Sequence, residues 1–199
     1  LRGCKEQIKK LKETETDLAL LESRVTNLIK QGEEMAVNHF DGKGVLNACK
    51  EVIERLKKLN GPVKERKEKL MESLKYHQLA YEINAELQWV KDHELSVKSN
   101  DVGQNLTDAQ NYSKKHQKLE REVIGHQPQI EKALANGQTL IDQNHFNNEK
   151  IASICAQLKD KWQSLLELFK DRRTKLDTSL KSQTFFSEAN EVEAWISEK

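Results

Sequence analysis

The chain has 199 residues, with 33 Lys and Arg against 32 Asp and Glu, 36% hydrophobic and 33% charged positions, two Pro and eight Gly. That length fits one or two small domains and excludes a large enzyme. A net charge of +1 supplies neither the field a nucleic-acid binder needs nor a basic membrane-surface patch, and apolar residues recurring among so many charges mark long amphipathic helices, not a disordered chain.

The first predicted element starts at Leu1 and carries Leu18, Val25 and Met35 on its apolar stripe. A second helix is predicted from Asp41 through Val45, Val52, Leu56, Leu59, Val63 and Leu70 into Leu79, Ile83, Trp89 and Val90. Gly61-Pro62 interrupts it, and a proline there removes a hydrogen bond at a cost of about 3 kcal/mol, so a kink is expected. We read that kink as a tolerated bend, with a functional hinge at Gly61 and Pro62 as the alternative. His93 to Gly103 is polar, with Ser96, Ser99, Asn100 and Asp101, and reads as a loop. The next helix is predicted over 103–141, with Leu106, Ala109, Ser113, His116, Leu119, Val123, Ile130 and Leu134 on its seam and a second kink at Pro128. After a reversal at 143–148, a cap at Asn147 or Asn148 starts a long helix. Its seam is Ile151, Ile154, Leu158, Trp162, Leu165, Phe169 and Leu176, continuing through Leu180 and Phe185 to Trp195.

An internal repeat organises these elements. Asn38-His39-Phe40 returns as Asn144-His145-Phe146, Cys49 as Cys155 and Trp89 as Trp195, each 106 positions later. Upstream of Asn38 the offset is 105, as in Val25 and Ile130 or Gly32 and Gly137. The apolar stripe repeats where identity is lost, as in Val52 and Leu158. Three amphipathic helices per period bury their stripes only against each other, which predicts an all-α fold of tandem antiparallel three-helix coiled-coil bundles. The absence of Gly or Pro between Asn147 and Glu193 predicts continuous helical linkers between bundles and hence an elongated rod. Helices of roughly 30 residues make a unit about 45–50 Å long.

The 106-residue period, Trp89 and Trp195 in the first helix of successive units, Trp162 in the third, Asp101-Val-Gly-Gln-Asn-Leu106, Lys114-Lys-His116 and the stretch Phe185 to Ile196 together resemble spectrin repeats. The resemblance covers essentially the whole chain. It implies a partial repeat at 1–72 holding the second and third helices, a complete repeat at 73–179, and the start of the next at 180–199, as if a boundary cut through a longer rod. It further implies a structural core of Trp89, Trp162, Trp195, Leu106, Leu119, Leu158, Leu165 and Phe169. Tyr76-His-Gln-Leu79, Gly125-His126 and Gly137-Gln138 look closer to the β-spectrin branch than to dystrophin, plakins or α-actinin. The family implies an elastic spacer in an actin-crosslinking membrane skeleton at the cell cortex. It also implies an antiparallel α-spectrin partner, ankyrin as a docking partner, and actin bound through other parts of the full chain. A docking module for ankyrin or α-spectrin, or a rod segment of dystrophin or plakin type, are the alternatives.

The search for chemistry finds no catalytic or cofactor pattern. Cys4, Cys49 and Cys155 are widely spaced with no C-x-x-C, which favours a reducing, cytoplasmic setting over a disulfide framework. Six histidines form no H-E-x-x-H, and no phosphate-cradling glycine motif is present, so neither a metal nor a cofactor is expected. No run approaches 18 apolar residues, and Leu1 to Lys10 is too charged for a secretory leader, so no transmembrane segment or targeting is expected. Asn105-Leu-Thr107 and Asn111-Tyr-Ser113 match the glycosylation acceptor pattern but fall on or beside a predicted helix. A structural protein, not an enzyme, is the expectation.

Overall fold

The computed structural model describes residues 1–199, which form four helices and no strand: α1 (Arg2–Ala36), α2 (Gly42–Val97), α3 (Leu106–Asp142) and α4 (Asn148–Ser197). The chain divides into two compact units, Leu1–Gln78 and Leu79–Lys199, so that α2 contributes residues to both.

In the first unit α1 and residues 42–78 of α2 run antiparallel. Cys4 Sγ lies 3.5 Å from the Leu70 carbonyl, Lys67 Nζ 2.8 Å from Glu15, and Asn60 Nδ2 donates to Glu22 across 2.6 Å. Leu11, Val25 and Gly32 are buried between the two helices, whereas Leu20, Leu28, Met35 and Leu59 are exposed. Two helices can cover one stripe each and no more. The turn between them is fixed locally: His39 Nδ1 accepts the Asp41 N–H, and Asp41 Oδ1 caps the Gly44 N–H at 3.1 Å.

The second unit is a three-helix bundle of α2 residues 79–97, α3 and α4. Its buried residues follow the heptad rule on every helix: Leu79, Ile83, Val90 and Val97 on α2; Ala109, His116, Val123, Ile130 and Gly137 among those on α3; Ile151, Leu158, Trp162, Leu165, Phe169 and Leu176 on α4. Each fully buried Leu or Ile contributes about 1.5–3 kcal/mol, against which the solvated charges outside the seam weigh little.

Four expectations need revision or detail. Residues 93–97 are helical, because Val97, only 4% exposed, continues the Ile83, Val90 heptad into the core and outweighs its polar neighbours. The third helix starts at Leu106 and not at residue 103: Gly103 has φ +92°, a conformation that stops a helix, and the Asn105 side chain caps the Asp108 N–H at 2.8 Å. The Asn105 amide also donates to Asp108. Pro62 and Pro128 lie inside helices that continue through them. Both prolines are exposed, as are Lys58 and Ile124 one turn earlier, so the freed carbonyls can bond water. Gly61 is exposed too, with open space where a Cβ would stand. Finally, Trp195 is 61% exposed within residues 1–199, as is every residue from Asn190 to Lys199. α4 itself passes Ser179 and Leu180 without interruption.

Candidate functional site

The features that could carry function are the contacts that join the three helices of the second unit. At its centre the Trp89 indole of α2 is sandwiched between two imidazoles, His93 one turn later with ring centroids 3.6 Å apart and His126 of α3 at 3.8 Å. Trp162 of α4 approaches from a third side at 6.2 Å. Aromatic pairs at these distances contribute about 0.5–1.5 kcal/mol beyond the area they bury. The imidazoles are themselves held: His126 Nε2 lies 2.6 Å from Glu86, His93 Nδ1–H donates to the Trp89 carbonyl across 2.9 Å, and His93 Nε2 faces Glu122 at 3.5 Å. Trp89 is half-buried and Trp162 is 8% exposed.

The other proposed core positions sort by depth. Leu158 and Leu165 are fully buried and Phe169 is 3% exposed, while Leu106 and Leu119 are half-buried at the margin of the α3 stripe. His116 stacks on Phe169 with centroids 5.2 Å apart, and its Nε2–H donates to the Phe169 carbonyl at 3.1 Å. Burial is the main cause that pushes His116 below its ordinary imidazole value.

Two further groups of contacts were not singled out by sequence reasoning. A Cβ on Gly137 would collide with Cys155 Sγ, and a Cβ on the corresponding Gly32 would stand 2.6 Å from Cys49 Sγ, so the aligned glycines mark places where paired helices approach too closely for a side chain. The 105-residue Gly offset beside the 106-residue Cys offset was the available signal. Burial raises the Cys155 thiol above its ordinary value, which disfavours the nucleophilic thiolate. In the α2–α3 connection, Arg172 of α4 donates to the carbonyls of Val97 and Asp101, Ser179 Oγ–H donates to the Val102 carbonyl, and the Tyr112 hydroxyl donates to Asp101 across 2.8 Å. That hydrogen bond, more than the Gly103 N–H, holds the Asp101 carboxyl below its usual range.

No group of three or more His, Cys, Asp or Glu is placed to hold a metal ion. His145 Nδ1 accepts the Asn147 N–H at 3.0 Å, as His39 does for Asp41, so both turn histidines organise backbone. A surface groove of about 530 Å³ between α2 and α4 is lined by Leu87, Lys91, Glu94, Gln157, Asp160 and Lys161. Its volume falls in the range of ligand sites, and its lining contains no Ser, Cys or His. No helix is long and apolar enough to cross a membrane.

A family model described as "Spectrin repeat" matches residues 1–72 and 74–178. The chain is 29% identical over 202 residues to the spectrin beta chain of Drosophila melanogaster, an alignment covering 98% of this chain and 9% of that protein. It is 34% identical over 148 residues to spectrin alpha chain, erythrocytic 1, of Mus musculus, covering 74% of this chain and 6% of that one. To spectrin beta chain, non-erythrocytic 5, of Homo sapiens it is 27% identical over 199 residues, covering 100% and 5% respectively. Relatives of both chain types are present, and the chain spans less than a tenth of the length of any of these three.

Proposed function

The chain belongs to the spectrin-repeat family, and from that premise we propose that it is a rod segment of a membrane-skeleton protein, a load-bearing spacer whose units share helices and therefore unfold as coupled neighbours. The observation that carries this reading is the run of helix without interruption from Gly42 to Val97 in α2, past residue 73 where a new repeat is taken to begin. The same reading assigns 1–72 to the second and third helices of one repeat, 73–179 to a complete repeat and 180–199 to the next; the matched ranges 1–72 and 74–178 support that phasing. In the longer protein the segment serves at the cell cortex, paired with a spectrin chain of the other type. Ankyrin docking and actin binding through other parts of the full chain are the family-level partners of the same reading.

A proline at Lys75, an exposed position in the middle of that run, tests the coupling. It removes one helical hydrogen bond at a cost of about 3 kcal/mol without touching either core. Chemical denaturation of the unaltered chain is expected to follow one transition and Lys75→Pro two. Identical cooperativity in both proteins refutes coupling through the helix.

A further inference from the structure

His116 of α3 is 4% exposed, and its Nδ1 is buried without a hydrogen-bonding partner. The other ring nitrogen faces the Phe169 carbonyl of α4, which can only accept, so the ring proton sits on Nε2. In this neutral tautomer Nδ1 is a bare lone pair, and leaving it unpaired costs little compared with an ion. A second proton would create an N–H and a full positive charge at the same buried position, with nothing there to accept the bond.

The charges around the ring do not offset that cost. Glu120, one turn further along α3, favours the proton, but its carboxylate is held by Arg173 of α4 at 3.1 Å. Arg173 and Arg172 both oppose the proton. Arg172 is fixed beside the site by its bonds to the Val97 and Asp101 carbonyls. On α2, His93 is engaged with Glu122 and the Trp89 carbonyl, and Glu94 with Lys98 at 3.5 Å.

We propose that His116 is an acid-sensitive latch between α3 and α4: a proton taken up at Nδ1 places a positive charge and an N–H without an acceptor inside the seam beside Phe169 and destabilises the second unit. The inference rests on the geometry of that unit and stands apart from the spacer reading. Its sign follows from linkage. The folded imidazole lies below its ordinary value of 6.5, so the unfolded chain binds the proton first. The contribution of His116 to stability is complete above that value and is lost as pH falls below it.

The test is urea denaturation of the whole 199-residue chain at about pH 7.5 and about pH 5.5, for the unaltered protein, His116→Gln and His116→Phe. Uptake of one proton on unfolding raises the unfolding constant by up to about tenfold per pH unit, and both variants should lose that part of the slope. Equal pH dependence in all three overturns the proposal. Should the variants fail to fold, an NMR titration of the His116 ring in the unaltered protein decides: a midpoint below 6.5 supports the latch and one at or above 6.5 overturns it.

Discussion

Truncation of Trp162 to alanine is the sharpest perturbation of the bundle. The indole is 8% exposed and meets Trp89 at 6.2 Å, so its removal takes away nearly a whole buried aromatic and one wall of the cluster around Trp89. A buried Trp covers about 150–250 Å², which at about 25 cal/mol per Å² corresponds to roughly 4–6 kcal/mol. Measured costs of such truncations run about 3–5 kcal/mol, including the cavity left between three helices too rigid to close it. Against a total stability of about 5–15 kcal/mol, this is enough to unfold the unit partly near body temperature. The assay is thermal and urea denaturation followed by far-ultraviolet circular dichroism, with an expected fall in Tm on the order of 10–20 °C. Trp195→Ala is the matched control: 61% exposed, it should change stability by less than about 0.5 kcal/mol. Equal losses for Trp162→Ala and Trp195→Ala would refute the reasoning, because only Trp162 is buried and packed against a second helix.

Two glycine substitutions test packing against propensity. Gly137→Ala gains about 1 kcal/mol of helix propensity but sets a methyl against Cys155 Sγ, and a net loss of about 1–3 kcal/mol by urea denaturation is expected, recovered in part by the double variant Gly137→Ala, Cys155→Ala. Gly125→Ala meets open space on an exposed position of α3 and should stabilise by about 0.5–1 kcal/mol, read as a rise in the urea midpoint.

Much of the fold was legible because heptad spacing is a one-dimensional property. Ile151, Ile154, Leu158, Trp162, Leu165, Phe169 and Leu176 can be read off the chain as one stripe, and all but the half-buried Ile154 are buried. The end of α2 was misread because Ser96, Ser99, Asn100 and Asp101 carry turn signals, while the opposing signal is the single heptad step from Val90 to Val97. The placement of His126 on Trp89, of Arg172 on the Val97 and Asp101 carbonyls, and of Gly137 against Cys155 depends on register between helices far apart in sequence. No periodicity within one helix encodes that register.

Amide hydrogen exchange along α2 from Met71 to Ala80 tests the shared helix most directly. These amides should open only with the second unit as a whole, at the same free energy as those of Ile83 and Val90. Exchange at the fast rate of frayed helix ends over that stretch would contradict the coupled spacer.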